Sequence, residues 1–310
     1  MQRLISFAFL AVLATWPVYA QDRTRDRSDG VKDRGAQQIF IAASNWDLLG
    51  EGYHLTGDST VDSAGNVYFT DASRNRILKI DLDGNIKTWR EDTNGAHGIA
   101  LGPDGRLYAG QHDRKRIVAF ANDGRESVIT EGVQSHHLIV TARNHIYFTV
   151  PPTHEVWLTE APGQKRVVHT GLNWPRGVRA SPDESVLVVN DPPTRWVWSF
   201  QIEANGSLIK GRHFCRLETN SENPETDAGG MAFDSGGFLY VATNIGVQVC
   251  DRQGRVIAVI DTPGESVSAV FFGGPGLQWL YVTDGGKIWR RPVKRRGAPP
   301  LNGKTHQPGP

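Results

Sequence analysis

Residues 96–113 read AHGIALGPDGRLYAGQHD: an apolar run, a Gly-Pro-Asp-Gly turn, then a second apolar run that ends in polar residues. Two short alternating runs around such a turn signal a β-hairpin. The stretch recurs. Aligned on the tyrosine of VYFTD (67–71), the segments LYAGQ, IYFTV, LVVND, LYVAT and LYVTD place anchors at Tyr68, Tyr108, Tyr147, Val188, Tyr240 and Tyr281, which are 40, 39, 41, 52 and 41 residues apart. Between successive anchors lies a second turn, DLDGN, ANDGR, EAPGQ, EANGS or DRQGR, each between apolar runs. Each unit therefore holds two hairpins and four strands. A four-strand unit repeated about every 40 residues marks a propeller blade. The long helical periodicity that an α/β barrel needs is missing.

Six copies predict an all-β fold, a six-bladed β-propeller with four antiparallel strands per blade, over residues 38–297. The last copy ends after three strands near KIWRRPV (287–293). An N-terminal strand, QIFIAAS (38–44), is expected to complete the last blade, since closing the ring removes open sheet edges.

The flanks differ from this body. Arg3 precedes LISFAFLAVLAT, and VYA at 18–20 has the small-x-small form of a cleavage site, so residues 1–20 are expected to be a secretory signal peptide. Residues 21–37 read as a flexible charged leader and 298–310 as a C-terminal tail. Export implies a secreted or periplasmic protein. Cys215 and Cys250 are the only cysteines. Export permits a bridge between them, but their spacing does not decide whether they meet. With 34 Lys and Arg against 33 Asp and Glu, the net charge of +1 argues against a nucleic-acid partner. Beyond the signal segment, no stretch is long and apolar enough for a membrane span.

In a propeller the innermost strands start together at the top of the central channel. Counting back 11 residues from each anchor, or 12 where the first hairpin is longer, gives Gly57, His97, His136, Arg176, Gly229 and Ala269. Two imidazoles and a guanidinium then face three small residues, which leaves room for a small ligand.

The segments DSAGNVYFTDASRNRILKID, SPDESVLVVND, GGMAFDSGGFLYVATNIGVQV and FFGGPGLQWLYVTDGGKIWR resemble the senescence marker protein, gluconolactonase and luciferin-regenerating enzyme family, most of all its secreted bacterial members. The resemblance covers about residues 38–297. It implies a propeller that hydrolyses sugar lactones or related esters with a divalent cation at the top of the channel. The implied ligands are a Glu of an EGP motif, an Asn of a PNG motif and an Asp of a DGM motif. Here those slots read GDS, PRG and GGM, which puts Gly57, Arg176 and Gly229 at the ligand positions. The EGY at Glu51 lies 17 residues before Tyr68 rather than 11, out of register. His97 and His136 stand where the family carries substrate-side asparagines.

The residues that replace the ligands suggest a metal-free His/His/Arg site. His97 and His136 would act as general base and acid, and Arg176 would hold a carboxylate or oxyanion. Asp58 is the nearest carboxylate to orient an imidazole. His112 and Trp174 are expected to contact substrate, and His137 is expected to face the opposite side of its strand by alternation. The expected substrate is a small sugar-derived or carboxylate-bearing molecule, cleaved by lactone or ester hydrolysis or by elimination. No cofactor is expected. The alternative is a divalent or transition metal on His97 and His136 with a third ligand from Asp58 or His112. A ligand-binding propeller without catalysis is the other functional reading.

Overall fold

The computed structural model describes residues 35–54, 57–220, 226–264 and 266–300. The expected signal peptide, most of the leader and the last ten residues lie outside these. The described residues form six four-stranded antiparallel sheets, each with its strands in chain order except the last. Blade one comprises Ser59–Val61, Val67–Asp71, Arg76–Ile80 and Ile86–Arg90. The inner strands of blades two to six are Ala96–Leu101, Leu138–Val140, Val178–Ala180, Met231–Phe233 and Val267–Gly273.

The repeat motifs have a physical cause in each blade. In the first hairpin, Asp62 accepts from the backbone N–H of Ala64 and Asn66 at 3.0 and 2.9 Å, while Gly65 takes a φ of 101°. A Cβ at Gly65 would lie 2.2 Å from the carbonyl oxygen of Gly274, so glycine is required there twice over. The anchor tyrosines sit in the packed layers between blades. Tyr147 and Tyr240 are fully buried, and Tyr108 donates to Asp104 of its own turn at 2.8 Å. On the top face, the link between second and third strands closes with a left-handed residue in four blades: Asn75, Lys115, His154 and Arg195.

The ring closes with an N-terminal strand, but not the expected one. Asp47–Glu51 pairs with Lys287–Pro292 as the outer strand of blade six. The QIFIAAS stretch makes only one bridge, between Phe40 and Val293. Its apolar residues explain the difference. Ile39 and Phe40 are buried in the core cluster shared by blades five and six, where they remove more apolar surface from water than a half-exposed outer strand allows. The DLLGE strand is largely exposed or half-buried, as an outer strand should be.

Cys215, on the outer strand Leu208–Arg216 of blade four, is bridged to Cys250, on the third strand Gly246–Cys250 of blade five. The bond ties two neighbouring blades together and closes a loop spanning 35 residues. Replacing both cysteines with serine should lower unfolding free energy by about 2–4 kcal/mol. Urea unfolding of the oxidised protein and the double variant measures this.

Candidate functional site

Polar residues on the second strands fix where the top of each inner strand lies. Thr70 donates to the His97 carbonyl at 3.1 Å, Thr149 to that of Arg176 at 2.6 Å, and Asn190 to that of Gly229 at 2.6 Å. Each of these bonds joins one blade to the next. The three expected channel-top positions they touch are thereby held through their backbone carbonyls, independently of their side chains.

His97 and His136 come together as expected, with ring centroids 4.3 Å apart. The third ring in the group is His137, at 4.7 Å from His136 and 5.6 Å from His97. Alternation failed for His137 because the strand begins only at Leu138. His136 and His137 precede it, tied by the His136 N–H to the Thr149 carbonyl and the Thr149 N–H to the His137 carbonyl. Both rings are therefore free to turn toward the axis. Two adjacent histidines at the entry to an inner strand were the signal in the sequence.

Two carbonyls set the protonation of these rings. The Nδ1 of His97 lies 3.0 Å from the His136 carbonyl, and the Nε2 of His137 lies 2.8 Å from the Gly57 carbonyl. A carbonyl only accepts, so each of these nitrogens carries the hydrogen. The His97 Nε2 and His137 Nδ1 are then left as lone pairs. The Nδ1 atoms of His136 and His137 are buried without a hydrogen-bond partner. Burial, as the main cause, holds all three imidazoles below the usual histidine range, and the Arg176 charge adds to this. All three are neutral near pH 7, so what they offer is lone pairs.

The remaining candidates are placed differently. Arg176 donates to Asp227 at 2.5 Å and is half-buried. Asp58 holds no imidazole: its Oδ1 accepts from Arg179 at 2.7 Å and from the Ser59 N–H at 2.8 Å. Asp58 belongs to blade one and Arg179 to blade four, on opposite sides of a six-membered ring, so this buried pair spans the axis. Arg179 is the positioning residue that register counting missed, because it lies three residues beyond the channel-top position. The Nε2 of His112 lies 3.1 Å from the Gln134 amide nitrogen. Trp174 is exposed on its loop, held there by its N–H donating to Asp191 at 2.7 Å.

Above the rings lies a cleft of about 530 Å³, lined by His97, His136, His112, Gln134, Pro152 and Trp174 among others. Apart from His97, at the top of the inner strand Ala96–Leu101, its walls come from top-face loops of blades one to four. A separate cavity of about 180 Å³ at the other end of the channel is lined by Arg179 and by Pro299 and Pro300.

The ligand set that the resemblance implies does not fit here. A Cβ on Gly57 would fall 2.7–2.8 Å from three atoms of the His97 ring. A Cβ on Gly229 would lie 2.1 Å from the Ser268 carbonyl oxygen. The imidazole of His97 thus occupies the space that a side chain at position 57 would need.

Residues 56–285 match the SMP-30/Gluconolactonase/LRE-like region. The chain belongs to this family. It is 26% identical over 231 residues to a pentonolactonase of Haloferax volcanii, covering 71% of this chain and 77% of that protein. It is 25% identical over 231 residues to a gluconolactonase of Zymomonas mobilis, covering 66% of this chain and 64% of that protein. In fold it resembles a gluconolactonase of Xanthomonas campestris, with a TM-score of 0.73 and 24% identity over 83% of this chain and 92% of that one. Among the described residues, no helix is long and apolar enough to cross a membrane.

Two substitutions test the geometry. Gly57→Ala should destabilise the protein by about 1–3 kcal/mol through overpacking against His97. In a His97→Ala background the same change should cost well under half of that, which a double-mutant cycle measures. Arg179→Met should cost about 3–5 kcal/mol, because it strands the buried Asp58 carboxylate, and Asp58→Asn added to it should recover much of the loss.

Proposed function

We propose that the protein is an exported hydrolase that opens a small lactone, sugar-derived or bearing a carboxylate, in the cleft on the top face. The observation that carries this reading is the pair of neutral imidazoles, His97 and His136, that line the cleft, with the Arg176 charge near enough to act on both. Two lactonases among the relatives support the reaction class. The net reaction adds water to the acyl carbon and breaks the ring C–O bond. The products are a hydroxy carboxylate and a proton. The imidazole lone pairs form the basic pole that activates water, and the cationic fork of Arg176 suits a substrate carboxylate or the oxyanion formed on attack. Trp174, exposed on the cleft wall, gives an apolar face for a sugar ring. The Cys215–Cys250 bridge supports export, since such bonds persist in oxidising compartments.

The test is a panel of γ- and δ-aldonolactones and uronolactones, followed by proton release. Turnover is expected, with kcat/KM falling about 10²–10³-fold in His136→Ala. Arg176→Ala should raise KM most for substrates that carry a carboxylate. Saturable binding of a lactone without turnover would instead make the protein a binding propeller.

A further inference from the structure

We infer that His97, His136 and His137 form a binding site for one divalent transition-metal ion of the zinc type, with its open position toward the cleft. One ring nitrogen from each residue lies within 4.8 Å of those of the other two. Zn²⁺ holds imidazole nitrogens at about 2.0–2.1 Å, which brings a tetrahedral trio to about 3.3 Å from one another.

Three further observations point to a cation. The first is tautomer locking. The His97 Nδ1 and His137 Nε2 donate to backbone carbonyls, which leaves the opposite ring nitrogens unprotonated. Metal-bound histidines are oriented in this way, by a carbonyl or carboxylate that takes the other ring N–H. The second is cost. The Nδ1 atoms of His136 and His137 are buried without a partner, and His137 is 1% exposed. Such an atom is destabilising unless something binds it. The third is the chemistry of the donor set. Three neutral imidazoles select Zn²⁺, Ni²⁺, Cu²⁺ or Fe²⁺ over Ca²⁺ or Mg²⁺, which prefer oxygen.

The two nearby guanidiniums do not oppose a cation strongly, because each is matched by a carboxylate: Arg176 by Asp227 and Arg179 by Asp58. The third ligand is thus His137, not Asp58 or His112. Both of those are already engaged elsewhere, Asp58 by Arg179 and His112 beside Gln134. With three protein ligands and a cleft above, the fourth position is open to water or a substrate oxygen, the arrangement of a hydrolytic zinc site rather than a structural one.

This inference deepens the lactone-hydrolase reading by putting a Lewis acid in place of an imidazole base, since a lone pair that binds the ion cannot also take a proton; the site itself stands without that reading. Full-length protein made without a polyhistidine tag would be stripped with a chelator, then titrated with Zn²⁺ by calorimetry and with Co²⁺ by visible absorption. The expected result is one ion per chain, the intense d–d absorption of four-coordinate Co²⁺, and a Zn²⁺-dependent rise in Tm. His137→Gln keeps an N–H donor for the Gly57 carbonyl, and His136→Ala removes a ring whose Nδ1 has no partner. Each variant should bind Zn²⁺ at least 100-fold more weakly and lose the rise in Tm. The Tm of each variant without metal, compared with the stripped wild type, separates loss of the site from loss of the fold. Wild-type protein that takes up no stoichiometric ion, or variants that bind as tightly as wild type, would overturn the inference. Tight binding by a protein that turns over no lactone would uphold the metal site and remove the hydrolase reading. Turnover that is unchanged in the stripped protein would uphold the hydrolase and remove the metal from its mechanism.

Discussion

The site depends on contacts made across the central channel. Asp58 reaches Arg179 at 2.7 Å, and His137 reaches the carbonyl of Gly57 at 2.8 Å. The first joins blade one to blade four, opposite it, and the second joins blade one to blade three. A closed ring of sheets leaves an axial shaft, and what fills it must pair every polar group it buries. Here an ion pair spans the middle of the shaft and imidazoles cap it. Two of the caps, His97 and His137, are held by backbone carbonyls, so those rings keep one orientation without help from solvent.

That arrangement accounts for the glycines. At position 57 there is no room for a side chain, because the His97 ring lies across it. At position 229 the neighbouring backbone of Ser268 closes in. The carboxylates that the family resemblance implies at these places are not simply missing, since their space has been taken. At position 57 the absence of an oxygen donor and the presence of the His97 imidazole are thus one structural feature, whereas position 229 is closed by backbone.

Much of this was legible in the sequence because a propeller repeats. The tyrosine anchors and Asp-Gly turns gave six units of four strands, and a fixed count back from each anchor put His97, His136 and Arg176 at the channel top. What the sequence did not reveal lies where local patterns stop applying. His137 precedes its strand, so two-residue alternation does not govern it. The strand that closes the ring is the polar-looking DLLGE rather than the more apolar QIFIAAS, because burial of Ile39 and Phe40 between blades outweighs their β-propensity. The pairing of Asp58 with Arg179 joins residues 121 apart and carries no local signature.

The most direct measurement is the protonation state of the three rings in the stripped protein, by long-range ¹H–¹⁵N NMR of histidine-labelled protein at pH 7. The structure predicts neutral rings at all three positions, with hydrogen on Nδ1 of His97 and on Nε2 of His137. Doubly protonated rings, or the opposite tautomers at those two residues, would contradict the orientation on which the whole site is built.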